Sequence, residues 1–125
     1  MKSAALKKSI NIAQKFDLID EMWVPRIIAE SNNDHVKLDK FHGEFIWHKH
    51  EFEDEMFFVI KGNIVVKFRD GDIPVSEGEL IVIPKGVEHK PTAKEEAHVL
   101  IIEPKDTLNT GNVEDDMTLP ELEWI

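Results

Sequence analysis

Between Trp23 and Glu103 the chain breaks into short runs in which apolar and polar residues alternate, and outside that stretch the alternation is lost. Val36-Lys37-Leu38-Asp39 has a period of two, the spacing that sends every second side chain to one face of a strand. His42-Gly43 interrupts it, and Glu44 to His50 resumes it. Further runs lie at Pro25 to Glu30, Glu55 to Ile60, Ile64 to Phe68, Ile73 to Val75, Glu79 to Ile83 and Ala97 to Glu103. Turn formers separate them: Ser31-Asn32-Asn33-Asp34, Asp70-Gly71, Gly78, Pro84 and Gly86. Lys61-Gly62-Asn63 between two runs is a hairpin signal. Roughly seven to nine short strands at this spacing predict an all-β antiparallel sandwich or barrel. There is no room for the crossover helices of a parallel sheet.

The flanks read differently. Residues 3 to 20 carry Leu6, Ile10 and Ala13 at helical spacing behind a Ser3 cap, although Ser9-Ile10-Asn11-Ile12 fits a loop entering a short helix over Ile12 to Ile19 equally well. This arm is expected to pack outside the sheet. After Pro104 the pattern dissolves: Glu114 to Asp116 is polar and reads as mobile, and Leu119, Leu122, Trp124 and Ile125 follow. Such an apolar ending is expected to dock on its own sheet or cross to a second subunit. The chain therefore divides into an arm (1–22), a β domain (23–104) and a tail (105–125). In the Glu55 to Ile60 run, Glu55, Phe57 and Val59 share one face and Met56, Phe58 and Ile60 the other. Both faces are apolar, so one lines an interior and the other needs a cover from the N-terminal arm, the tail or a partner subunit, the last making a homodimer an expected assembly.

Composition narrows the function. At 125 residues, 42% hydrophobic, the chain has the size of one domain with one core. No apolar run approaches the ~20 residues of a membrane span, and the N-terminus lacks the apolar core of a secretory signal. With no cysteine, thiolate ligands are excluded and a cytoplasmic location is expected. A net charge of −10 without a dense Lys/Arg cluster argues against nucleic acid.

The chemistry sits in GEFIWHKHEFEDEMFFVIKG, residues 43–62. His48 and His50, two apart, would share one face of a strand, and Glu55 opens the next strand. Two imidazoles and a carboxylate begin a site for a first-row divalent metal, and His89, in GELIVIPKGVEH, is the candidate to close it. The first block reads Gly43, four residues, His48, one, His50, four, Glu55, six, Gly62; the second reads Gly78, five, Pro84, one, Gly86, two, His89. Together they resemble the two signature motifs of the cupin superfamily, small jelly-roll β-barrels, over about residues 35 to 103. The first block has one residue fewer than usual before its first histidine, and Ala93 stands where many members have asparagine. The wording WHKHEFEDEMFFVIKG is similar to small single-domain members labelled mannose-6-phosphate-isomerase-like. The resemblance implies a cupin barrel in which His48, His50, Glu55 and His89 hold one divalent ion.

Three neutral imidazoles and a carboxylate suit Fe(II), Mn(II), Zn(II), Ni(II) or Co(II), and leave positions open for a small-molecule ligand. Phe57 and Val59 are expected to line the pocket, joined by His98, which with Leu100 and Ile102 is read as facing the interior. Trp47 should face away from the metal, and His35 and His42 flank turns. A sugar phosphate would call for clustered Arg or Lys; the only arginines, Arg26 and Arg69, are not placed beside the ligands. Three readings remain open: a metalloenzyme with oxygen-dependent or isomerase-type chemistry on a chelating substrate, a non-catalytic metal-dependent binding or sensing module, and a structural barrel without metal.

Overall fold

The computed structural model describes residues 7–125. A single short helix, α1 (Ile12–Phe16), opens it, with the Asn11 side chain capping the Gln14 amide at 2.9 Å. It starts where the shorter of the two expected helices does but ends at Phe16 rather than Ile19; Ser3 and Leu6 lie outside the described residues. Seven strands follow: β1 (Arg26–Ser31), β2 (Asp34–Glu44), β3 (Glu55–Lys61), β4 (Asn63–Phe68), β5 (Gly71–Ser76), β6 (Leu80–Ile83) and β7 (His89–Pro104). All pairings are antiparallel, in the order β1-β2-β7-β3-β6, with β4 joining β5 to β7.

Strand β7 is the spine. Its later part lies between β2 (Asp34↔Pro104 to Phe41↔Ala97) and β3 (Met56↔Ile102 to Val59↔Val99), while its beginning pairs with β4 (Val65↔Thr92 to Phe68↔His89). One long strand thereby serves both halves of the barrel and carries His89 into it. The sequence places the start of this strand at Ala97, but it begins eight residues earlier, at His89. Lys94, Glu95 and Glu96 are consecutive exposed residues in it, so this part shows no alternation to read.

The other difference concerns the histidine pair. The expected strand from Glu44 to His50 is absent, because β2 continues through His42-Gly43 with a register shift between Phe41 and Gly43, Gly43 at φ +80°. Residues 45–50 then run beside the start of β7 with single contacts: Phe45 N–H to Pro91 O at 3.0 Å, and His48 and His89 exchanging backbone bonds at 3.0 and 2.8 Å. Alternation survives here without a ladder.

Apolar side chains form two clusters. The barrel interior holds Phe41, Phe57, Val59, Val66, Val99 and Ile101, among others. A second cluster, Phe16, Ile19, Ile28 and Leu38, sits under the helix on the opposite face, with Ile60, Leu100 and Ile125 packed against it. Each fully buried side chain of this size contributes about 1.5–3 kcal/mol. The end of the chain lies along β1: Ile27 N–H donates to Glu123 O at 2.8 Å, and Ile125 N–H donates to Ile27 O at 3.0 Å. The outer face stays partly bare. Leu80 (55% exposed) and Val82 (48%) stand opposite Phe58 and Met56 across the β3–β6 pair.

Candidate metal centre

Four buried side chains from three parts of the chain meet inside the barrel. His48 and His50 come from the irregular segment after β2, Glu55 from the first position of β3 and His89 from the first position of β7. One ligand atom from each lies within 4.8 Å of the other three. Two ligands on opposite sides of one ion stand about 4.2 Å apart at bond lengths of about 2.1 Å, so only a slight closure is needed.

The hydrogen bonds set the direction of the lone pairs. His48 Nδ1 lies 2.9 Å from Ile46 O, and His89 Nδ1 lies 2.9 Å from Val87 O. A carbonyl only accepts, so each Nδ1 carries the hydrogen and each neutral ring turns an Nε2 lone pair to the centre. Glu55 Oε1 lies 3.3 Å from His89 Nε2 and 3.5 Å from His50 Nε2. For His89, whose Nδ1 holds the hydrogen, this sets two acceptors against each other and requires a cation between them, a proton or a metal ion; His50, with no partner on Nδ1, is free to donate from Nε2 instead. His50 Nε2, His89 Nε2 and Glu55 Oε1 are all buried without another hydrogen-bond partner. The donor set and its orphaned atoms fit a first-row divalent ion.

Electrostatics follow from the burial. Burial foremost, then the neighbouring His89, lowers the His48 pKa to about 4. For Glu55 burial acts upward, but hydrogen bonds from His50, His89 and Glu103 outweigh it and hold the carboxyl well below its usual range. Glu103 moves the opposite way: burial, then the charge of Glu55 and the proton it shares with Glu55, push it well above that range. Its other oxygen accepts from Lys37 Nζ at 2.6 Å. Asp39, buried and also facing the Glu55 charge, is raised as well, by burial above all. Three buried acids, Asp39, Glu55 and Glu103, face two buried bases, Lys37 and Arg26, so the interior is richer in acids than in bases, a setting that favours a bound cation.

A cavity adjoins the cluster, lined by Trp23, Phe41, Phe45, Phe57, Asp39 and Glu103 together with His48 and Glu55. Phe57 is where the sequence places it. Val59 is fully buried in the core, away from the cavity walls. His98 is a correction: it faces outward, stacks on Phe16 at 4.5 Å and contacts Glu96 at 2.8 Å. The inward positions of β7 are Ala97, Val99, Ile101 and Glu103. Leu100 and Ile102 are apolar because the outer face is itself covered, which inverts the reading. Trp47 lies under the Arg69 guanidinium at 3.7 Å, away from the cluster.

Sequence reasoning missed the segment that supports His50. Asn112 N–H donates to Lys49 O at 3.0 Å, and Lys49 N–H donates to Asn112 Oδ1 at 2.9 Å. Gly111, at φ +56°, approaches so closely that a Cβ would stand 2.2 Å from Lys49 O and 3.2 Å from His50 Nδ1. The supposedly formless tail thus clamps the histidine segment. Its one legible signal is a Gly-Asn pair in a polar stretch.

The cupin domain family model matches residues 35–103, which include all four clustered residues. A solved structure of a cupin-2 domain protein from Shewanella frigidimarina is 48% identical, with a TM-score of 0.77, and is covered completely by 84% of this chain. The uncharacterised protein YdbB of Bacillus subtilis is 38% identical over 64 residues, half of this chain and 57% of YdbB. A 3-hydroxyanthranilate 3,4-dioxygenase of Ruegeria pomeroyi is 37% identical over 57 residues, 42% of this chain and 32% of the dioxygenase. The chain therefore spans between a third and three fifths of these two curated relatives.

Two outcomes are expected. Because the folded His48 prefers to be neutral, the unfolded chain takes up its proton first as pH falls below 6.5. Stability of the chelator-treated protein is full above that pH and is lost toward pH 4, by up to about 3 kcal/mol. Urea midpoints at pH 7.5 and 5 should show the drop, and His48→Gln should flatten it. Gly111→Ala should displace Lys49-His50 and lower bound metal per chain at least 10-fold, read by elemental analysis on protein whose circular dichroism remains β-type.

Proposed function

This chain belongs to the cupin domain family, and we propose from that premise that it is a metal-dependent enzyme in which His48, His50, Glu55 and His89 hold one divalent transition metal and a small organic molecule binds beside it. The observation that carries this reading is the convergence of three buried imidazole and carboxylate atoms that have no partner but each other. When bound, such an ion supplies Lewis acidity or one-electron chemistry.

The chain's own residues do the rest. Backbone carbonyls of Ile46 and Val87 fix two tautomers. Lys37 holds Glu103 through one oxygen at 2.6 Å and so keeps it beside Glu55. Trp23, Phe41, Phe45 and Phe57 keep water from the cavity. Oxygen-dependent chemistry is favoured over isomerisation, since the named relatives include 3-hydroxyanthranilate 3,4-dioxygenases and a putative dioxygenase of Saccharolobus solfataricus. A phosphosugar isomerase has less support, because no arginine or lysine lines the cavity. The alternative of a binding or sensing module draws on the cavity's tightness: only about 30 Å³ of it admits the centre of a water molecule.

The outer face supports a second copy of the chain as cover for Leu80 and Val82, continuous with Phe58 and Met56. Leu80→Glu with Val82→Lys should then halve the mass measured by light scattering; an unchanged mass would rule this face out.

The metal itself is tested by elemental analysis of protein purified without chelator. About one transition-metal ion per chain is expected, lost in His89→Ala. Oxygen uptake with iron loaded, against a panel of small chelating metabolites, should separate enzyme from sensor. No metal after reconstitution with each of the five ions would remove the reading altogether.

A further inference from the structure

The cavity has one polar handle that nothing above employs. Of its polar lining residues, His48 and Glu55 belong to the metal cluster, and Glu103, though its Oε1 also lacks a partner, is tied to Lys37 through its other oxygen. Asn109 is spent on its own segment, donating to Met117 O at 2.9 Å and accepting from the Leu119 amide at 2.9 Å. That leaves Asp39. It is 4% exposed, lines the cavity, and has a buried Oδ1 without a hydrogen-bond partner. A buried acceptor left unmet costs about 1–3 kcal/mol. Folding tolerates such a group where a ligand later supplies the donor.

We propose that Asp39 is the specificity-determining residue of this cavity and that it selects a small, non-anionic ligand carrying an N–H donor, an amine of few carbons. This rests on the small-ligand reading of the site given above. The rest of the wall is apolar, four aromatic rings with Pro25, Pro91 and Ile101, and Trp23 holds its place at φ +63°, with its amide on Lys40 O and its indole N–H on His42 O, both at 2.8 Å. Aromatic faces beside a carboxylate suit an alkylammonium group. Charge points the same way. A carboxylate or phosphate would enter beside Asp39, Glu55 and Glu103 with no lysine or arginine on the wall to meet it. Size sets the last limit: the empty volume is about 360 Å³ including its open mouth, of which little admits even a water centre.

Three probes of equal length decide the matter: propylamine, propan-1-ol and propionate, titrated calorimetrically into the zinc-loaded full chain at pH 7.5. Propylamine should bind at least 10-fold tighter than propionate, with propanol between them. Asp39→Asn, checked for unchanged zinc content and circular dichroism, should erase the preference for the amine while leaving propionate unchanged or improved. Equal binding of amine and propionate by the wild-type protein with stoichiometric zinc would overturn the role of Asp39 and leave the metal reading standing. The same holds if Asp39→Asn folds, keeps zinc and still prefers the amine. If the wild type takes no zinc, the metal reading fails by itself, and the wild-type comparison of amine with propionate, repeated without metal, still decides for or against Asp39. That comparison needs no variant, so it stands even if Asp39→Asn does not fold.

Discussion

Lone pairs enclosed away from water must be met by positive charge, and much of this molecule is arranged around that demand. Glu55 cannot face the Nε2 lone pair of His89 across 3.3 Å unless a cation stands between them. The surrounding barrel removes the alternatives. Burial denies Glu55 water, carbonyls occupy the far nitrogens of His48 and His89, and Glu103 is held by Lys37. Burial above all raises Asp39 and Glu103, while hydrogen bonds from its neighbours hold Glu55 down against its own burial. The interior is electrostatically unfinished by itself, an arrangement far better suited to holding an ion than to stabilising a barrel.

Geometry follows from one long strand. Because β7 pairs with β2 and β3 near its end and with β4 near its start, it closes the barrel and sets His89 opposite His48. The segment carrying His48 and His50 is free of a regular ladder, which lets both rings turn inward although it is not a strand. Irregular backbone of this kind needs support from outside, and the Gly111-Asn112 turn supplies it.

The ligand spacing, the hairpin at Gly62 and the inward set Glu55, Phe57, Val59 were legible because each depends on local chemistry: turn glycines, strand parity and metal-donor types. What escaped notice depends on which face of a strand is the inside. In Val36-Lys37-Leu38-Asp39 the apolar pair faces outward or into the second cluster under the helix, and the charged pair faces the barrel core. Any rule that sends charges to solvent inverts this strand. The same inversion carries His98 outward with Leu100 and Ile102. Parity is local, but the choice of face belongs to the whole fold, and a strand covered on both sides hides that choice. The tail was illegible for a different reason: its role rests on backbone bonds and on the absence of a side chain at Gly111, and neither leaves a periodic trace.

The clamp between Lys49 and Asn112 links positions 63 residues apart in the chain. During synthesis the two histidines leave the ribosome with β1 and β2, when neither β7 nor the turn at Gly111 exists to orient them. The wall behind His50 is completed only when residue 112 has emerged, so the nascent chain displays its soft nitrogen donors long before it can choose among the ions that meet them. Any metal held by this barrel would therefore be selected late, by a finished cage, or early, by what the cell leaves free around an open peptide.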